Sequence, residues 1–382
     1  MRIGINASAL VHENTGVARY TSSFLKALSA REEARDTVLF YNYFRRWGGE
    51  TGGVLPDLGM ENKTWRIPER LLRLSWNLFN RPSVERLIGR VDIYHNLSFY
   101  GIPQQIGKQI STVHDLLFMR FPDSFTASVR DSLTGAVVDA VKRADYIITV
   151  SNAAKSDIIE MLGVPENRIR VIYEAPDQAF KPVDDTDILK SIRKKYGIDK
   201  DYLLFLGAGE PRKNLPFLME AYGSLSQDIR QEYRLVIAGP ARWGSEAIDA
   251  KIKECGIERD VILTGYIPDK EAAALYSGAT AFIFPSLGEG FGLPVLEAMS
   301  CGAPVICSGI SSMPEVAGDA AYKIDPHNVE DLTAAIQALV TDESLRAGFR
   351  RKGFDRAAEF SWEKNVTETL AVYHELVEGT AG

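Results

Sequence analysis

Cysteine is scarce: Cys255, Cys301 and Cys307 are the only three in 382 residues. An odd number without metal-ligand spacing excludes a disulfide framework and a structural zinc site, and it suits a reducing cytoplasm. Long apolar runs are missing: no stretch approaches the ~18 consecutive apolar residues of a membrane-spanning helix, so any membrane contact is expected to be peripheral. The N-terminal MRIGINASALVHENTG has one arginine and only a short apolar stretch, unlike a secretory signal. Positive charge is not in excess. The formal net charge is −7, the opposite of a dedicated nucleic-acid binder. The dinucleotide fingerprint G-x-G-x-x-G does not follow the first apolar run, which weighs against a nicotinamide enzyme.

What is present is an ordinary globular composition, 45% hydrophobic and 25% charged, long enough for two full cores. Short β-branched and aromatic runs alternate with amphipathic stretches. Strands are expected at 2–7, 37–42, 91–96, 109–115, 145–151 and 169–175, and again at 202–208, 233–239, 261–266, 280–286, 303–309 and 321–325. Helical periodicity falls at 17–30, 70–79, 128–143 and 152–162, then at 214–225, 245–255, 269–277, 293–300, 328–341, 343–358 and 362–378. Continuous apolar strands alternating with helices predict parallel sheets covered on both faces. The pattern runs twice, with a break near 176–200. There PDQAFKPVDDTD brings two prolines and four aspartates, and reads as a hinge. The fold class is therefore α/β, with two Rossmann-like doubly wound domains facing a central cleft lined by the carboxyl ends of their strands.

The segment PSLGEGFGLPVLEAMSCGAPVI, Pro285 to Ile306, concentrates the chemistry. An apolar strand ends in a glycine-rich turn, and a helix begins with Pro294 in its first turn. Gly290 and Gly292 let a ligand approach the backbone, and free N–H groups at a helix start favour an anion or an array of hydroxyls. Glu289 lies in the loop and Glu297 about one turn into the helix. Ionised carboxylates only accept hydrogen bonds, which suits sugar hydroxyls. A tight βα turn whose glutamate complements the helix macrodipole explains the same residues, and spacing alone leaves both readings open. Arg212 and Lys213 follow the strand YLLFLGA. They read either as a clamp for a leaving diphosphate or as a solvated helix start. His114 ends the expected strand QISTVH, where a structural role is the commoner one.

This segment resembles the E-x7-E signature of retaining GT-B glycosyltransferases of family GT4, the group 1 glycosyl transferases. SSMPEVAGDAAYKIDP (311–326), FLGAGEPRKNL (205–215), VHDLLFMRFPDSF (113–125) and VSNAAKSDI (150–158) continue the likeness in order and spacing over nearly the whole chain. EPRKN together with HDL is similar to bacterial mannosyltransferases that use GDP-mannose or related sugars in polysaccharide and O-antigen assembly. The resemblance implies that Glu289 contacts the donor sugar's hydroxyls, and that the backbone N–H groups of Phe291, Gly292 and Leu293 hold sugar and diphosphate. It implies further that Glu297 binds the ribose hydroxyls and that His114 lies beside the sugar and diphosphate. Gly16 is expected as a backbone-approach site in the loop after the first strand. Tyr266 is expected to pack near the base. Many relatives carry an additional arginine after the strand's glycine. Here Ala208 follows Gly207, so Arg212 is expected to bear a larger share of the phosphate charge.

As the family's C-terminal helix returns to the first domain, the expected boundaries are 1–180 plus 363–382 for the acceptor-side domain and 181–362 for the nucleotide-sugar domain. The implied activity is transfer of α-mannosyl from GDP-mannose to a glycan or polyprenyl-linked oligosaccharide acceptor. A UDP-sugar or GDP-rhamnose donor and a GT-B nucleotide-sugar epimerase are the alternatives. The family is usually assigned a front-face route, which is the expectation here because no residue stands out as a nucleophile; a covalent glycosyl-enzyme is the alternative. The D-x-D of metal-dependent glycosyltransferases has one counterpart, Asp185–Thr186–Asp187, in the hinge. It reads as solvated linker charge, and neither a metal nor a cofactor beyond the donor is expected. Finally, WRIPERLLRLSWNLFNRPSVERLIGR (65–90) sets six arginines against two glutamates, with Trp65, Leu71, Leu74, Trp76, Leu78 and Phe79 interleaved. It reads as an anionic-membrane contact on the inner face of the cell membrane, or as a core helix with its arginines in water.

Overall fold

A computed structural model of the chain describes residues 1–11, 15–43, 57–240 and 245–379. Residues 12–14 of the first loop and 380–382 of the expected returning segment lie outside them. The chain divides into two compact units, Met1–Glu174 with Trp362–Gly382, and Ala175–Ser361.

In the first unit, β1 (Ile3–Asn6), β2 (Thr37–Asn42), β3 (Glu61–Trp65), β4 (Ile93–Asn96), β5 (Lys108–Val113), β6 (Tyr146–Thr149) and β7 (Ile169–Val171) form one sheet. All of its pairings are parallel, in the order β3-β2-β1-β4-β5-β6-β7. Strand order reverses between β1 and β4, and there the connections leaving the carboxyl ends diverge to opposite faces and open a crevice. The sheet interior is sealed by Ile3, Ile5, Leu39, Ile93 and Ile147. Helix Gly16–Ser29 starts where Thr15 Oγ1 accepts from Ala18 N–H, and buries Tyr20, Phe24, Leu25 and Leu28. The last helix, Trp362–Glu378, packs on it. Tyr373 donates to or accepts from His95 Nδ1 at 2.5 Å, and Asn365 Nδ2 donates to Tyr173 O at 2.8 Å.

The second unit orders β8 (Asp201–Leu206), β9 (Tyr233–Ala238), β10 (Val261–Gly265), β11 (Ala281–Phe284), β12 (Val305–Ser308) and β13 (Ala321–Ile324) as β10-β9-β8-β11-β12-β13, again all parallel. Its reversal falls between β8 and β11. Phe205, Phe282 and Phe284 are fully buried, and a phenylalanine removed from water contributes on the order of 1.5–3 kcal/mol.

Three expectations need correction. β3 is a strand although every one of its residues is exposed; ENKTW carries no apolar alternation because it forms a solvated edge. The strand expected over 169–175 ends at Val171, so YEA is connection. The presumed hinge contains a helix, Thr186–Lys195, whose N-terminus is capped by Asp185 Oδ1 accepting from Asp187 and Ile188 N–H at 2.9 and 3.2 Å. Asp185 is thus a capping residue and not linker charge.

Candidate active site

The loops leaving β8 and β11 meet at the second unit's reversal point. Leu287 N–H donates to Arg212 O at 2.7 Å, joining the two. Arg212 and Lys213 sit in a short 3-10 turn, Pro211–Lys213. Neither is a solvated helix start. Lys213 is 7% exposed, lies 4.6 Å from the centre of the Phe284 ring, and donates to Glu289 Oε1 at 2.6 Å. Arg212 Nη1 is 2.9 Å from Glu289 Oε2, and Arg212 Nη2 is 2.8 Å from Glu210 Oε2. Ser286 Oγ donates to Glu289 Oε1 at 2.6 Å. Burial alone would push the Glu289 carboxyl up. The charges of Arg212 and Lys213, with the hydrogen bonds from Lys213 and Ser286, outweigh it and pull the group down to about 2. Burial is the largest influence on Lys213 and lowers its ammonium's pKa, while Glu289 opposes it. The result is an ionised carboxylate clamped by two cations, one of them a forked guanidinium.

The glycine turn is built for backbone exposure. Gly292 has φ +117°, and a Cβ there would fall 2.2 Å from Met313 Cε. It precedes helix Leu293–Ser300 directly; in that first turn Val295 N–H donates to Gly292 O at 3.0 Å and Pro294 carries no N–H. The Phe291 side chain is turned into the unit against Phe360, with ring centroids 5.9 Å apart. Ser312 Oγ donates to Phe291 O at 2.6 Å, and Ser311 Oγ accepts from Glu289 N–H at 3.2 Å. These serines and Ser286 hold the loop. Their short polar side chains beside the glycine turn are the signal in the sequence, and no site role was assigned to them there. Glu297 is 2% exposed, in the second turn of the helix. Tyr266 is 62% exposed just past β10, two strands from β8 in the sheet. The sequence reading also passed over a cavity of about 130 Å³ at the carboxyl ends of β8–β10, rimmed by Gly207, Gly209, Gly239 and Gly265.

In the first unit, Gly16 is exposed, with open space where a side chain would be. Its neighbours Thr15 and Val17 line a cavity of about 230 Å³, with Asn6, Asn42, Glu69 and Trp76, at the carboxyl ends of β1, β2 and β4. His114 lies one residue past β5 and is 8% exposed. Its Nδ1 is 3.3 Å from Glu174 Oε1. Helix Glu69–Phe79 buries Leu72 and Trp76, but leaves Leu71, Leu74, Leu78 and Phe79 between 54% and 70% exposed. Arg66, Arg70, Arg81, Arg86 and Arg90 are exposed along the same segment. Arg73 differs. It is half-buried, 4.3 Å over the Tyr100 ring, and Nη1 donates to Tyr100 Oη at 3.2 Å. The plain reading of one buried apolar face with water-facing arginines is therefore incomplete, because this helix carries a second apolar face outward.

Residues 190–356 match the family model described as glycosyl transferases group 1, and residues 14–179 match that of glycosyltransferase family 4. O-antigen chain mannosyltransferase B of Escherichia coli is 30% identical over 98% of this chain and 99% of its own length. The O-antigen chain mannosyltransferase RfbU of Salmonella typhimurium is 26% identical over 88% of this chain and 90% of its own. Among solved structures, sucrose-phosphate synthase of Thermosynechococcus elongatus superposes with a TM-score of 0.77 at 18% identity, over 99% of this chain and 100% of that one. WaaG, a glycosyltransferase involved in lipopolysaccharide biosynthesis, gives 0.71 at 14%, over 97% and 99%. The two parallel-sheet units are those of the GT-B fold, and the chain belongs to the group 1, family 4 glycosyltransferases.

Proposed function

We propose that this glycosyltransferase moves an α-mannosyl residue from GDP-mannose, with retention, onto a glycan or polyprenyl-linked oligosaccharide of a cell-surface polysaccharide. The observation that carries the reading is the Glu289–Arg212–Lys213 cluster at the second unit's strand reversal, beside the helix start at Gly292. Relatives matched over nearly their whole length are named as O-antigen mannosyltransferases, which supports the sugar. Breaking the anomeric bond develops positive charge on the sugar and negative charge on the departing diphosphate. Arg212 and the helix start at Leu293 are placed to take up the negative charge, with Lys213 holding Glu289 toward the sugar hydroxyls. The glycine-rimmed cavity at β8–β10 suits the flat base, with Tyr266 at its margin and Glu297 on the ribose side. The leaving phosphate takes the acceptor's proton on the same face, and no metal enters that scheme. His114 and Gly16 serve donor and acceptor from the first unit. The second apolar face of helix Glu69–Phe79, with its exposed arginines, suits peripheral contact with the anionic cytoplasmic leaflet.

The test is a thermal-shift series with GDP, UDP and ADP and their sugars, since a ligand that favours the folded state raises its stability. GDP and GDP-mannose should stabilise most, and the product should carry the donor's anomeric configuration by NMR, with EDTA without effect. Stabilisation by UDP-sugars alone would overturn the mannosyl assignment. Donor turnover to an isomeric nucleotide sugar without acceptor would favour an epimerase.

A further inference from the structure

Among the described residues, three carboxylates are buried: Glu289, Glu297 and Glu174. The first two belong to the donor cluster. Glu174 is the last residue of the first unit's leading segment, and is 7% exposed. Its Oε1 faces His114 Nδ1 at 3.3 Å, and the other ring nitrogen, Nε2, faces Leu97 O at 3.4 Å. Both facing atoms are acceptors. A neutral imidazole has one N–H and satisfies one of them, whereas the doubly protonated ring satisfies both. The ring plane is held by Tyr20, which meets it edge-on with centroids 4.7 Å apart at 79°.

Other titratable groups pack around the ring from several elements. His95, from β4, is held far below its ordinary value, at about 3, chiefly by burial. The Tyr20 hydroxyl, from helix Gly16–Ser29, is pushed up by burial and then by the negative charge of Glu174. Asp115, next in the chain, accepts from Leu117 N–H at 3.0 Å. Tyr373, from the last helix, stands behind His95. The chain leaves this unit immediately after Glu174 and re-enters it at Trp362, whose indole meets Tyr20 edge-on at 5.3 Å. Both passages of the chain thus anchor in the shell around His114.

We infer that Glu174 is a positioning residue: its carboxylate takes the Nδ1–H of His114 and fixes the ring's orientation for the transfer step. The inference rests on the reading that His114 acts in the reaction, and the experiment separates the two. In the full chain, the His114 ring is followed by NMR against pH, alongside the pH profile of GDP-mannose turnover, for the wild type, Glu174→Gln, Glu174→Asp and His114→Gln. An opposite charge at this range typically moves a titration by about 1–3 pH units. Glu174→Gln should therefore lower the His114 midpoint by at least about one unit and carry the high-pH limb of kcat down with it. The rate should fall by about 10–100-fold, the usual effect of losing an orienting partner, with GDP binding retained. Glu174→Asp keeps the charge and should restore the midpoint while remaining slow, which covers the case of a Gln variant that does not fold. An unmoved midpoint and limb, even with a reduced rate, would overturn the inference and leave Glu174 structural. Full turnover by His114→Gln would instead remove the underlying reading, whatever Glu174 does.

Discussion

Replacing Glu289 by glutamine separates what that carboxylate does for the fold from what it does for the reaction. Glutamine keeps the size of the side chain and an oxygen for Lys213 and Ser286, so cavity terms drop out. What is lost is the charge between Arg212 and Lys213, 2.9 and 2.6 Å away. The carboxyl titrates at about 2 against an ordinary 4.5. At about 1.4 kcal/mol per pKa unit, its ionised form stabilises the folded chain by about 3 kcal/mol. Because the folded value is the lower one, that stability is fully present above pH ~4.5 and is lost as pH falls toward ~2. Calorimetric unfolding should show the variant about 3 kcal/mol less stable at pH 7, with the gap narrowing steadily below pH 4.5. Titration calorimetry should show GDP affinity maintained or raised, since two cations are released toward the diphosphate, while turnover collapses. A stability gap independent of pH, or nucleotide affinity lost in step with turnover, would refute the reasoning.

Three further outcomes follow from the same geometry. Gly292→Ala forces a side chain into φ +117° and against Met313 Cε; melting should show a loss of about 1–3 kcal/mol with turnover abolished, and adding Met313→Ala should recover the clash but not the backbone strain. His95 titrates at about 3 when folded and near 6.5 when unfolded, so the unfolded state binds the extra proton first. Stability should therefore drop as pH falls from 6.5 toward 3, and His95→Asn should flatten that slope in the same calorimetric series. Liposome flotation with anionic vesicles should be lost in Arg66→Glu/Arg70→Glu/Arg81→Glu and in Leu71→Ser/Leu74→Ser/Leu78→Ser; unchanged flotation, or a switch from dimer to monomer in sedimentation without any flotation, rejects membrane contact.

The glycine-rich loop at 287–292 was legible because three rules coincide on one stretch. The buried strand Ala281–Phe284 reads as apolar, glycine marks the turn, and proline in the first turn marks the helix Leu293–Ser300. Burial of Lys213 was not legible. Two adjacent cations carry no sign of the phenylalanine beneath or of the glutamate 76 residues on that neutralises one of them. The edge strand Glu61–Trp65 escaped because solvated edges need no apolar pattern. For helix Glu69–Phe79 the sequence left two readings open, because leucines on both sides of a helix do not say which face is buried until the neighbours are known.

The way the polypeptide threads its two units has a consequence for biosynthesis. The second unit is a single uninterrupted span, Ala175–Ser361, and every residue it needs lies between its own ends. The other unit is made first but finished last. Its sheet emerges early, yet Trp362, Asn365 and Tyr373, which cover Tyr20, Tyr173 and His95, arrive only after the whole of the second unit. A chain cut after Ser361 would therefore keep every residue of the second unit and strip the first of these three contacts.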